Sequence, residues 1–369
     1  MKSVDRILEM VRKEFRQIFR DSKLRRLIFI SPIIQLIVFG YAVSTDVRHV
    51  ATFVVDHDNS AISRELVDTF TASGYFAIVD RSERPADLVS ALDHGDAIVG
   101  VVIPAGFGDD LVSGSGARVQ LVFDGTNSNI AIVAKGYAER ITTAFGLASA
   151  SVEIPSMIAL RDRAWFNPEL ESRNYNVPAV VGAIIMLVCL LLTALAIVRE
   201  REIGTLEQLM VSPLQPFELM LGKTIPFAII GLFDLAVITA IAILWFDIPF
   251  RGSFVLLFGA SVLYLLSTLG LGLFISTIAS TQQEAFLSSF LVFMPTMLLS
   301  GFMFPVRSMP ELFQWITLAN PMRHYLEIVR AIFLKGAGAE HLAMQFVALA
   351  TIGIVILTLA TMRFQKRIS

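Results

Sequence analysis

Charge is scarce in this chain. Only 17% of its 369 residues are Asp, Glu, Lys or Arg, while 55% are hydrophobic. That leaves too few polar groups to cover a water-soluble surface, so lipid must cover much of the protein. Cysteine is almost absent. Cys189 stands alone inside an apolar run, which excludes an intrachain disulfide in any compartment and leaves a small apolar packing residue. A complete phosphate-binding loop is missing too. Leu221-Gly222-Lys223-Thr224 has the closing residues of GxxxxGK[ST], but Phe217 stands where the first glycine is needed. There is no Ser/His/Asp set, no HExxH and no carboxylate pair in a plausible cleft. His49, His57 and His94 are scattered, so no metal centre is expected. These absences point to a non-catalytic subunit that holds no cofactor of its own, with no nucleic-acid partner.

What is present is a series of apolar runs. A helix rises 1.5 Å per residue and the hydrocarbon core is about 30 Å thick, so about twenty apolar residues span it. Such runs cover 27–44, 177–198, 225–246, 254–278, 285–304 and 341–362, about six in all. An open-edged sheet is excluded in lipid because its unpaired backbone groups find no partner. The fold class expected is a polytopic α-helical membrane protein. Basic residues from Lys2 to Arg26 precede the first run, and Arg363, Lys366 and Arg367 follow the last, which places both termini in the cytoplasm. Residues 45–176 then lie outside, where acidic residues outnumber basic ones. Arg307, Arg323, Arg330 and Lys335 fit that orientation less well, since they also fall on the outer side.

Ahead of the first span, residues 1–26 form their own pattern. Val4, Ile7, Leu8, Val11, Phe15, Ile18 and Phe19 recur at helical spacing, with Arg6, Lys13, Arg16 and Arg20 on the other side. This reads as a helix on the inner membrane surface, with a packing face for a partner as the alternative. Ala42-Val43-Ser44 has the small residues of a signal-cleavage site, but the basic lead-in is longer than a signal's.

Between the first and second spans the pattern changes to short β-branched runs alternating with helical stretches. Strands are expected at 51–55, 76–79, 97–103 and 119–123, and helices beginning near Ser60, Arg84, Gly106 and Asn127. This is a small α/β domain inserted outside the membrane. Asp56, Asp58 and Asn59 lack the spacing of a cation loop and read as an acidic turn capping the helix at Ser60. Asp124 to Asn127 is likewise a strand-to-helix turn.

Asp234 lies near the centre of the third span, where a charge costs several kcal/mol unless paired, hydrated or protonated. It is a candidate for a transport path; a helix-to-helix hydrogen bond is the competing reading. Gln35, Thr193, Ser267 and Thr268 read as packing, and Pro226 and Pro295 as bends. Behind the second span, Thr205 to Val211 can form a short amphipathic helix, flanked by mixed charges and stopped before Pro213. Such a helix suits docking to a soluble partner.

Three segments carry a resemblance: REREIGTLEQLMVSPLQPFELMLGK after span two, STQQEAF entering span five, and LLSGFMFPVRSMPELFQWITLANPMRHYLEIVRAIFLKG before span six. Together they resemble the ABC-2 type permeases of bacterial ATP-binding cassette exporters, in particular the multidrug-efflux group with a large outer domain after span one. The resemblance runs nearly end to end. It implies that 199–223 holds a coupling helix seated in a separate ATPase subunit, with Glu200, Arg201, Glu202, Gly204, Thr205, Glu207, Gln208, Ser212 and Pro213 as the contact. It implies short helices across 305–340 that dip into the outer leaflet, with Trp315 and Tyr325 at the interface. ATP and Mg would be bound by two partner ATPase subunits, beside a second permease copy or paralogue and, in some members, a periplasmic adaptor. The function implied is export across the bacterial inner membrane of a drug or other amphipathic molecule. A receptor or assembly scaffold, or an ion-driven transporter centred on Asp234, are the alternatives from other classes.

Overall fold

The computed structural model describes residues 3–42, 49–126, 128–149, 165–167, 171–204 and 216–368. It divides into two compact units, Thr45–Arg163 and the remainder, Met1–Ser44 with Ala164–Ser369. The remainder begins with α1 (Ser3–Arg20), α2 (Ser22–Phe29) and α3 (Ser31–Ala42).

The 45–163 unit holds β1 (Val50–Asp56), α4 (Ala61–Ala72), β2 (Phe76–Ser82), α5 (Pro85–His94), β3 (Val99–Ile103), α6 (Phe107–Ser113), β4 (Gln120–Phe123) and α7 (Ser128–Ser149). Its sheet order is β2-β1-β3-β4; β1 runs parallel to β2 and β3, and β4 is antiparallel to β3. Alternate residues of β1 serve two layers. Val50 and Val54 pack with Leu66, Phe70 and Ala138, while Phe53 and Val55 pack with Leu88. Ser60 caps α4 by accepting the Ser63 N–H at 3.0 Å. The acidic turn before it is committed to the fold. Asp56 accepts the N–H groups of Asp58 and Asn59, and Asp58 accepts that of Gly108. At the turn after β4, the Thr126 N–H and then its hydroxyl hold the Asp124 carboxyl below the usual range.

The other unit continues with α8 (Ser172–Ile203), α9 (Pro216–Leu244), α10 (Phe254–Ile278), α11 (Gln282–Leu298), α12 (Glu311–Ile316), α13 (Pro321–Arg330) and α14 (Ala339–Ile368). Among the described residues, five stretches are long and apolar enough to cross a bilayer: Leu24–Tyr41 across α2 and α3, and those of α8, α9, α10 and α14. The chain is a multi-pass helical membrane protein. The segment expected to span at 285–304 is different. α11 has 17 residues and stops at Leu298, and the chain then turns through Gly301 at φ 81°. At 1.5 Å per residue that helix is about 26 Å long, a turn short of the hydrocarbon thickness.

α8 is buried on nearly every side and forms the axis of this unit. Residues 165–167 and 171–176 belong with it rather than with the sheet unit. Arg330 lies 3.6 Å over the Tyr175 ring and donates to the carbonyls of Tyr175 and Gly301. Arg323 donates to the Gln314 carbonyl and to the Thr317 hydroxyl. Two of the four basic residues that fit the outer side poorly by sequence, Arg323 and Arg330, thus have partners within the α11–α14 connection, and Arg330 also reaches α8. Trp315 is 73% exposed, but Tyr325 does not lie at an interface as expected. Its ring is fully buried against Tyr264, with centroids 4.1 Å apart, and its hydroxyl lies 2.8 Å from that of Ser261.

Candidate functional site

The segment singled out by sequence joins the end of α8 to the start of α9. Gly204 caps α8 in the left-handed conformation at φ 80°, which an L side chain adopts only under strain. Thr205, Glu207, Gln208, Ser212 and Pro213 lie outside the described residues. Glu200, Arg201, Glu202 and Gly204 are described, and they divide by environment.

Glu200 is only 5% exposed. Its carboxylate lies 2.9 Å from Lys13 Nζ on α1 and 2.9 Å from Lys223 Nζ on α9. Lys223 is 3.1 Å from Glu14 on α1, so two lysines and two glutamates alternate in one neutral cluster joining three helices. Burying three of these charges, Glu14, Glu200 and Lys223, is tolerable only because each has an opposite partner at hydrogen-bond distance, while Lys13 stays half-exposed. Arg201 donates to the Ala279 carbonyl at the end of α10, and Glu202 accepts from Gln282 at the start of α11, both at 2.7 Å. Arg199 pairs with Asp21 at 3.1 Å. Glu200 is therefore an anchor inside the helix roots, whereas Glu202 is exposed.

The Leu221-Gly222-Lys223-Thr224 string has a packing role. A Cβ on Gly222 would come within 2.6 Å of Met10 Cγ, so only glycine lets α1 lie this close to α9. Lys223 closes the charge cluster, and the Thr224 hydroxyl donates to the Met220 carbonyl. One turn earlier Glu218, 2% exposed, receives Arg6 from α1 at 3.0 Å, a bond that pushes the guanidinium further up. Arg6 and Lys13 were read by sequence only as the polar side of the N-terminal helix, and Glu14 was not singled out. The available signal was register: Glu14 lies four residues from both Met10 and Ile18, the other two buried positions of α1.

Asp234, the candidate for a transport path, lies in α9 and is 4% exposed. Its Oδ2 has no hydrogen-bond partner among the described residues, which leaves the helix-to-helix hydrogen bond without support. One turn before it, a Cβ on Gly231 would meet Cys189 Sγ at 2.7 Å, so α8 and α9 are in close contact there. A separate groove of about 420 Å³ runs between α9 and α10, lined by Leu235, Thr239, Ile243, Leu257 and Phe258, and Asp234 does not line it.

Comparison with known proteins gives a consistent set. A sequence family described as "ABC-2 family transporter protein" matches residues 25–362. The chain is 35% identical to the probable multidrug ABC transporter permease YbhR of Escherichia coli, with 91% of each chain covered. It is 29% identical to the probable multidrug ABC transporter permease YbhS, covering 98% of this chain and 97% of that one. A third relative, the inner membrane transport permease YhhJ of the same organism, is 30% identical over 94% of this chain and 96% of its own.

Proposed function

The chain belongs to the ABC-2 family of transporters, and from that membership we propose that it is the permease subunit of an exporter whose ATP is hydrolysed by separate ATPase subunits. Two ATPase subunits, carrying ATP and Mg, would work with a pair of permeases formed by this chain and a second copy or paralogue. The chain would cross the inner membrane about six times, counting α11, with both termini in the cytoplasm and the 45–163 unit outside. The names of two bacterial relatives, which call them probable multidrug permeases, favour a drug or similar amphipathic molecule as cargo; a periplasmic adaptor would be a further partner. In this arrangement 199–223 is the segment gripped by the ATPase, and Asp234 faces the path.

The observation that carries the reading is the bracing of that segment. A loop that only connected two spans would need no rigid base. Here both of its shoulders are tied to α1, through Glu200 on one side and Glu218 and Lys223 on the other. A push on residues 205–215 would therefore reach α1, α8 and α9 as one body rather than dissipate in the loop. Exposed Glu202, together with Glu207 and Gln208, would then meet the ATPase, with Glu200 acting through the positions of its neighbours.

Affinity purification of the tagged chain from its native membrane tests this. An ATP-binding cassette ATPase is expected to come with it, and the complex to hydrolyse ATP where the permease alone does not. Hydrolysis or ATP-driven transport by the permease by itself would refute the proposal.

A further inference from the structure

The last turn of α8 is bonded to the turn that starts α11. Arg201 reaches the Ala279 carbonyl, and Glu202 accepts from the Gln282 side chain, both at 2.7 Å. That turn is itself stiffened. Thr281 caps α11 by accepting the Glu284 N–H at 3.2 Å, and the Glu284 carboxylate accepts the Ser280 N–H at 2.7 Å. The opposite end of α11 is bonded as well. The Asn320 side-chain amide donates to the Thr296 carbonyl at 2.7 Å, while its oxygen caps α13 by accepting the Met322 N–H at 2.9 Å. Between these ends α11 is gripped on one side only. Its buried positions, Ala285, Ser289 and Phe293, make a single stripe at every fourth residue, whereas Leu287 and Leu291 are 67% and 76% exposed. The Ser289 and Thr296 hydroxyls return to carbonyls of α11 itself, so they tie it to no neighbour.

We propose that α11 is a strut whose two ends are fixed by the positioning residues Gln282 and Asn320, and that movement imposed on 199–223 is delivered through it to α12 and α13. A helix is stiff along its axis because each turn is hydrogen-bonded to the next. A pull at Gln282 therefore arrives at Asn320. α8 runs beside the same route but is buried on nearly every side, and a closely packed helix has little room to shift. α11, held by one stripe and by its ends, is the element free to move along its length. The side-chain hydrogen bonds at those ends make the contiguous path that coupling between distant sites requires. This inference rests on the reading that an ATPase moves 199–223, and it adds where that movement goes.

The test uses the full-length chain in complex with its ATPase, reconstituted in nanodiscs. A bimane label on L312C in α12 reports on the far end, since Leu312 is 69% exposed and Cys189 is buried. Trapping with ATP and vanadate is expected to shift the emission of that label. Q282A and N320S should each lose most of the shift while ATP hydrolysis stays near the parental rate. Q282K keeps a donor for Glu202 and should keep the shift, and the serine of N320S still caps α13, so neither loss would come from a broken fold. An undiminished shift in Q282A and N320S, or no shift in the parental complex, would overturn the proposal. So would a parallel fall of hydrolysis and thermal midpoint in both variants, which would make the two contacts merely structural. These results would leave the functional reading intact. A permease that brings down no ATPase would instead overturn that reading, and this inference with it.

Discussion

Lys223 on α9 lies 2.9 Å from Glu200 on α8, with 2% and 6% of their side chains exposed. Glu14 and Lys13 on α1 complete the cluster. Its charges are balanced, so the consequence of removing one depends on what is left behind. Lys223→Met would leave two buried carboxylates sharing one half-exposed lysine. A loss on the order of 3–5 kcal/mol is expected, read as a lowered thermal midpoint of the purified chain. Lys13→Met, at a lysine 45% exposed, should cost about 1 kcal/mol or less. The neutral double variant Lys223→Met/Glu14→Gln should recover part of the loss, because the Lys13–Glu200 pair survives. Equal losses from the two lysine variants would mean that the cluster does not act as a unit.

Gly222→Leu should displace α1 without touching any charge. A Cβ there already collides with Met10, and a leucine adds three further carbons to a contact with no spare room. The expected outcome is faster proteolysis within 3–20 while the other helices stay protected. Unchanged protection of α1 would contradict its close seating on α9.

Tyr264 and Tyr325 hold α13 to α10 through ring stacking, and their hydroxyls reach the Gly182 carbonyl and Ser261. Tyr325→Phe removes one hydrogen bond and should cost about 1 kcal/mol. Tyr325→Ala removes the ring and should cost about 3–5 kcal/mol. Thermal unfolding in detergent separates the two, and similar small shifts would show that the stacked pair contributes little.

For Asp234, stability and transport are measured separately. With a buried oxygen that has no partner among the described residues, Asp234→Asn removes a costly charge and should leave the thermal midpoint unchanged or raised. Transport by the reconstituted complex is expected to fall by about tenfold or more if the carboxylate meets cargo, a difference of roughly 1.4 kcal/mol in barrier. Normal transport in a stable variant would remove Asp234 from the path.

Legibility in the sequence followed the length scale of the interactions. The strands at 50–56, 76–82, 99–103 and 120–123 stand where β-branched runs placed them, and Ser60 caps α4, because period and capping are local signals. The end of α11 was not legible. Its apolar run continues to Phe304, but the helix stops six residues earlier, at Leu298, ahead of the turn through Gly301. Tyr325 was placed at an interface because tyrosine favours one, and only the tertiary partners Tyr264 and Ser261 reveal that it is buried. The charge cluster is the clearest case. Glu14, Glu200 and Lys223 come from three separate helices, and apart from the register of Glu14 with Met10 and Ile18 nothing local distinguishes a solvated charge from one that closes a buried pair.

The central claim is that the segment between α8 and α9 is where a separate motor takes hold. Its most direct test is a cysteine at Gln208, since Cys189 is buried, combined with a short bismaleimide linker in membranes containing the assembled complex. The account predicts a covalent adduct between this chain and the ATPase from Q208C, and none from V112C in the 45–163 unit. An intact complex in which Q208C gives no such adduct, or V112C gives it equally well, would contradict the account.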